Sequence, residues 1–191
     1  MNNKYFALRH GQSQPNILGI VLSGLEDGKK EEYTLTEQGE NQVMVSVKKA
    51  KESKLLGRDT IIYASPFSRT KRTAEIAKEI LGVEADINFD DRLRERWFGD
   101  WEKTTHDAYE KIWAVDIKNP EHKEKNVESV MEVLERTTSL IKDLEEKYKG
   151  KNILLVSHGD AIKILETSFK KIFPGLHKDL GIKTAEVREL K

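Results

Sequence analysis

Three short, largely apolar runs, at residues 5–8, 60–64 and 153–156, each break off into a polar or glycine-containing turn. No other feature limits the possible folds so strongly. Runs of four or five such residues belong to strands covered on both faces, and strands this far apart in the chain pair in parallel only through crossover connections. The crossovers are legible as helical patterns. Thr36 stands as an N-cap ahead of Val43, Val47 and Ala50, and Thr73, Ala77 and Ile80 repeat on one face before Gly82. The longest period runs through Val127, Val130, Met131, Leu134, Ile141, Leu144 and Tyr148 to a cap at Gly150. A last helix carries Ile162, Leu165, Phe169 and Ile172 up to Pro174-Gly175, and residues 184–190 form a final strand. The expected fold is α/β: a single domain, a three-layer α/β/α sandwich around a mostly parallel central sheet. Residues 18–33 and 118–126 are expected as loops or insertions.

Composition narrows the function. The 33 basic and 33 acidic residues cancel and are spread along the chain, so no general field draws it to nucleic acid or to an anionic membrane. Any anion it binds must meet a local cluster. The absence of cysteine removes disulfides, thiolate metal sites and a cysteine nucleophile, and suits a reducing compartment. No segment approaches eighteen uninterrupted apolar residues and the N-terminus lacks a signal-peptide run, so the expectation is a soluble, cytoplasmic protein. Either a monomer or a homodimer is compatible with the sequence.

That local cluster lies at the strand ends. Arg9-His10-Gly11 closes the first run and Ser157-His158-Gly159 the third. Two such histidines meet at one edge of a parallel sheet, where folds of this class bind ligands. The second run leads into Ala64-Ser65-Pro66-Phe67-Ser68-Arg69, which sets an arginine near a helix start, where free N–H groups favour an anion. Arg58 and Arg72 read as solvated charges, and the spacing from Ser65 selects Arg69. Cations gathered this closely repel one another unless a dianion sits among them. Phosphate fits, because guanidinium donates two parallel hydrogen bonds to its oxygens and neutral imidazole is a competent nucleophile towards phosphorus.

With Thr73-Ala74 behind Arg69, Leu93-Arg94-Glu95, Gly99 and Trp101-Glu102, these blocks stand in an order that resembles the histidine phosphatase superfamily, the phosphoglycerate mutase-like proteins. Leu35-Thr36-Glu37-Gln38-Gly39 with Gln42 is similar to that family's helix opening, so the resemblance covers residues 1–191 as one domain. It implies that His10 becomes phosphohistidine while Arg9, Arg69, His158, Gly159 and Asn16 hold the phosphoryl group. Glu95 matches the proton donor, ahead of Asp90, Asp91, Glu102 and Asp107. No metal and no other cofactor is implied. Ser23 is a further substrate-binding candidate and Ser13 a weaker one, turn capping being the alternative for both. Trp97, Phe98, Trp101, Tyr109 and Trp113 are expected as core packing. His106, His122 and His177 are expected to have no catalytic role, and their spacings suggest no metal site.

Two departures stand out. Many relatives end the acidic segment Trp-Glu-Gly where Lys103 follows Glu102 here, and Gln12 stands where mutases commonly carry glutamate. The mutases it resembles also carry an inserted segment with adjacent arginines, and this chain has no adjacent arginine pair. The expectation is therefore a metal-independent phosphomonoesterase acting on a small phosphorylated metabolite. A cofactor-dependent phosphoglycerate mutase and a non-catalytic phospho-ligand-binding regulatory protein are the alternatives.

Overall fold

Side-chain alternation divides the apolar runs between two cores. The computed structural model describes residues 1–191. Within it, Phe6 and Leu8 of β1 (Lys4–Arg9), Ile62 and Ala64 of β2 (Ile61–Ala64) and Leu154 and Val156 of β4 (Asn152–Ser157) face one side of the sheet. Tyr5, Ala7, Tyr63, Ile153 and Leu155 face the other. A two-residue period with both sets buried requires a cover on each face. On the first face it is α3 (Glu37–Glu52) and α4 (Ser68–Leu81), through Val43, Val47, Ala74 and Ala77. On the second it is α6 (Val130–Lys147) and α7 (Gly159–Lys170), through Leu140, Leu144, Ile162 and Leu165. The three-layer α/β sandwich expected from the sequence is the observed fold.

The sheet order is β3-β2-β4-β1-β5, with β3 (Asn88–Phe89) and β5 (Val187–Leu190) at the edges and only β5 antiparallel. The carboxyl ends of β1, β2 and β4 therefore share one edge. Around that edge lie α1 (Gln14–Leu18), α2 (Leu25–Gly28) and α5 (Asp107–Asp116), three helices whose period is too short or too irregular to read from sequence. Other boundaries shift for local reasons. The α6 period includes Val127, yet the helix starts at Val130, because Ser129 and Glu132 form a reciprocal capping box. Val127 packs instead with Val21, Phe98, Ala108 and Ile112 in a small separate cluster. Helix α7 stops at Lys170, with Lys171 left-handed, leaving Ile172 outside it. No helix is long and apolar enough to cross a membrane.

Two glycines let the loop after β1 lie directly on the start of α3. A Cβ on Gly11 would fall 2.3 Å from the carbonyl oxygen of Gly39, and one on Gly39 would fall 1.9 Å from that of Gln12. Thr36 accepts from Gly39 N as the N-cap and donates to Gln12 Oε1, while Gln12 N donates to Gln42. The helix opening noted in the sequence is thus the clamp on the loop that carries His10. Gly39→Ala should lose about 2–3 kcal/mol of stability in urea unfolding, since backbone rather than a flexible side chain must move; a loss below about 0.5 kcal/mol would show that this packing is slack.

Candidate active site

Strand register places the two histidines. Arg9 pairs with Ser157 across β1 and β4, His10 N donates to Ser157 O, and the next residues outward are His10 and His158, with ring centroids 5.3 Å apart. Ser65 follows β2 beside them and hydrogen-bonds His158 Nε2 at 2.8 Å. His10 Nδ1 lies 2.8 Å from the carbonyl oxygen of Gly11. A carbonyl only accepts, so the proton sits on Nδ1 and the lone pair on Nε2. Burial, and then the charges of Arg69 and Arg9, hold His10 well below the usual imidazole range. The same three effects, with His10 itself, depress His158. His10 is therefore a neutral ring with its lone pair on Nε2, at the carboxyl edge of the sheet.

Around it three buried nitrogens have no protein partner: Arg9 Nε, Arg69 Nη1 and His158 Nδ1, the last a donor when the Ser65 hydroxyl donates to His158 Nε2. Arg69, from the first turn of α4, donates from Nε to His10 Nε2 at 3.3 Å and from Nη2 to Leu22 O at 2.9 Å. Burial pulls its pKa down to about 10, which leaves it charged at neutral pH. Arg9 donates to Ile182 O, and its guanidinium lies beside Gly159 at the N-terminus of α7. Leaving a buried donor unpaired costs roughly 1–3 kcal/mol. Several such donors facing a neutral histidine form a setting for a tetrahedral oxyanion.

Glu95 reaches the site on a short loop. Its Oε1 accepts from Arg96 N at 3.0 Å and from Ala161 N, in the first turn of α7, at 3.3 Å. Burial, then the neighbouring Asp160 charge, raises its pKa, outweighing Arg69 and Arg9. The loop is pinned by groups that the sequence did not single out. Arg136 donates to Arg92 O and Glu95 O, and Glu128 joins Arg94 to Arg136. Arg96, fully buried, makes a two-pronged ion pair with Asp116 at 2.7 and 2.9 Å. His122 bonds the same carboxylate at 2.7 Å, and His177 lies 3.4 Å from it. His122 and His177 are thus part of this internal scaffold, and no group of three or more acidic or histidine side chains is arranged to hold a metal ion.

A cavity of about 320 Å³ opens from Arg9, Asn16, Glu95 and Gly159 towards Tyr109, Trp113, Asp160, Lys163 and Lys178. Asn16 keeps its side-chain oxygen on Ser13, the local capping role, while lining the cavity. The structure does not bring Ser23 to this cavity. Its hydroxyl donates to Glu102 at 2.6 Å and accepts from Phe98 N at 3.0 Å, which is a loop-fastening role. The aromatic residues divide. Phe98 packs as expected, but Tyr109 and Trp113 line the cavity, and Trp113 Nε1 donates to Asp160 at 2.9 Å. Lys103 adopts a left-handed φ of 61°, a conformation that glycine takes without strain, and pairs with Asp27 at 2.6 Å.

The model of the histidine phosphatase superfamily (branch 1) matches residues 5–191. The chain is 34% identical over 170 residues to a probable phosphoglycerate mutase GpmB of Escherichia coli K12, covering 84% of this chain and 71% of that one. A mycobacterial glucosyl-3-phosphoglycerate phosphatase complexed with VO3 shares the fold with a TM-score of 0.79 at 22% identity, over 97% of this chain and 91% of its own. A mutant phosphoserine phosphatase from Entamoeba histolytica, in complex with phosphoserine, does so with a TM-score of 0.77 at 22% identity, over 98% and 89%. The chain belongs to the histidine phosphatase superfamily.

Because Asp116 neutralises a fully buried Arg96 beneath the Glu95 loop, Asp116→Ala should cost about 3–5 kcal/mol in urea unfolding. A cost under about 1 kcal/mol would mean that the pair is not the loop's foundation.

Proposed function

We propose that the protein is a phosphomonoesterase that hydrolyses a small phosphorylated metabolite through a phosphohistidine on His10. The observation that carries this reading is the set of unpaired buried groups on Arg9, Arg69 and His158 around a neutral histidine whose Nε2 lone pair meets only the long contact from Arg69. A phosphoryl oxygen is a better acceptor for the Arg69 guanidinium than its long 3.3 Å contact with the His10 ring, so an arriving phosphate releases Nε2. In the first step Nε2 forms a bond to phosphorus and the ester P–O bond breaks. The leaving oxygen takes the proton of Glu95. In the second step water gives a proton to the Glu95 carboxylate and its oxygen attacks phosphorus. The P–N bond breaks, phosphate leaves, and both groups return to their starting states. Arg9, Arg69 and His158 hold the equatorial oxygens throughout.

A mutase is the second reading, favoured by the similarity to the probable phosphoglycerate mutase GpmB. In such an enzyme the phosphohistidine returns its phosphoryl group to the other substrate oxygen before water reaches it. A cytoplasmic setting belongs to the same proposal, supported by the cysteine-free composition.

One experiment separates these readings. Wild type and His10→Ala are incubated with a panel of phosphomonoesters in EDTA, and phosphate release and phosphoglycerate isomerisation are followed together. Release that falls at least about a thousandfold in His10→Ala supports the phosphatase. Isomerisation without release supports the mutase, and release that survives the substitution overturns both.

The pH profile gives an independent check. His10 must be neutral, so its depressed pKa carries activity below the ordinary imidazole range before an acid limb appears. Glu95 must be protonated for the first step, so activity on alkyl esters falls as pH rises through its raised pKa. Asp160→Asn removes a neighbouring negative charge and should move this basic limb to lower pH, more for an alkyl ester than for an aryl phosphate whose leaving group needs no proton. An unmoved limb would show that it does not report Glu95.

A further inference from the structure

Arg69 is the cation that touches the His10 ring, and its position is set from outside its own helix. The guanidinium meets three protein groups: Nε donates to His10 Nε2 at 3.3 Å, Nη2 donates to Leu22 O at 2.9 Å, and the central carbon lies 4.8 Å from the centre of the Phe67 ring. An arriving phosphoryl oxygen replaces the first contact and leaves the other two. The Leu22 carbonyl is then the protein acceptor that Arg69 keeps. If that carbonyl drifts, the guanidinium drifts with it.

Leu22 belongs to the segment that joins α1 to α2, and that segment is fastened to residues 98–104. Lys103 N donates to Val21 O at 2.8 Å and Val21 N donates to Thr104 O at 2.9 Å. Past Val21 this ladder gives way to a side chain. The Glu102 carboxylate accepts from Ser23 N at 2.9 and 3.0 Å, from Ser23 Oγ at 2.6 Å and from Gly24 N at 3.0 Å. Hydrogen bonds to an ionised acceptor are the strong kind, and three donors on one carboxylate fix the backbone on the far side of Leu22. Further on, Asp27 pairs with Lys103, and a Cβ on Gly28 would fall 2.4 Å from the Phe67 ring. That ring centre is also 4.8 Å from the ring centre of His158. The segment therefore reaches the phosphoryl cradle twice, through Leu22 O on Arg69 and through Gly28 on the ring that meets both Arg69 and His158.

We propose that Glu102 is a positioning residue for Arg69: by fastening Ser23 and Gly24 it holds the Leu22 carbonyl, so that Nη2 stays pinned while Nε passes from the His10 ring to a phosphoryl oxygen. A cation placed before the anion arrives loses less freedom on binding it. The proposal rests on the phosphatase reading, and binding of inorganic phosphate separates the two. The sign of the effect is diagnostic. A carboxylate near an anion site repels the anion, so Glu102 acting by charge alone would weaken phosphate binding, and Glu102 acting by position strengthens it.

Calorimetric titration with inorganic phosphate is carried out on wild type, Glu102→Ala, Ser23→Ala, Arg69→Ala and the Glu102→Ala/Arg69→Ala double variant. Glu102→Ala should raise the Kd roughly tenfold, the scale of one charge-assisted hydrogen bond, and Ser23→Ala should raise it several-fold. With Arg69 already removed, Glu102→Ala should change the Kd by less than about twofold, because its effect passes through the guanidinium. Glu102→Ala leaves two backbone N–H groups without an acceptor and risks misfolding, so amide exchange of wild type is followed as well. Ser23 and Gly24 should exchange slowly. Tighter or unchanged phosphate binding in folded Glu102→Ala, a full tenfold loss that persists in the Arg69→Ala background, or exchange of Ser23 and Gly24 at the rate of an unstructured chain overturns the positioning role. Failure of wild type to bind phosphate at all overturns the phosphatase reading, and the positioning role with it.

Discussion

Parallel pairing of β1 with β4, in the register that sets Arg9 opposite Ser157, places His10 beside His158 at the edge where both strands end. Nearly every other feature of the site answers to that juxtaposition. Ser65 arrives at the same edge because β2 pairs with the other side of β4, Ala64 opposite Val156, and it then takes the Nε2 of His158. A slip of one residue in either ladder would reverse the faces of that strand, burying its core side chains on the wrong side and turning its histidine away. The register is held by the same alternation that sorts Phe6, Leu8, Leu154 and Val156 into one core and Tyr5, Ala7, Ile153 and Leu155 into the other.

Gathering cations and neutral imidazoles in a buried place sets up an electrostatic tension, and the protein resolves it unevenly. The histidines yield, staying neutral because burial and the arginines both oppose a proton. The guanidiniums keep their charge and satisfy part of their valence on backbone carbonyls, Arg9 on Ile182 and Arg69 on Leu22. What remains is a set of unpaired donors, a cost that an anion relieves. Neutral imidazoles and charged guanidiniums thus arise from one environment, which acts differently on groups of different basicity.

The acidic side of the site is built on a different principle. Glu95 sits on a loop without regular structure, and its placement is imposed by ion pairs beneath and beside it. Arg136 and Glu128 fasten the backbone on either side, and Arg96 with Asp116 anchors the loop in the interior. Long, rigid, hydrogen-bonded side chains substitute for strand pairing here. That is why removing one partner exposes the other to an uncompensated burial.

The apolar runs, the caps at Thr36 and Gly82 and the histidine and arginine at each strand end were legible in the chain, because period and turn chemistry are local and strand-end residues of a parallel sheet share an edge by topology. Arg9, His10, Arg69, Glu95, His158, Asn16 and Gly159 do converge on one region, as that topology and the family resemblance led one to expect. The rest was hidden for a common reason. Nothing local marks Asp116 as the partner of Arg96, Trp113 as the donor to Asp160, or Ser23 as a fastener for Glu102 in place of a substrate contact. These partners lie 20 to 79 residues apart and meet only when the loops fold over the sheet edge. Periodicity reports which residues leave water; which polar groups then find one another is settled by packing, because a buried donor or acceptor takes whichever partner the folded chain brings within reach.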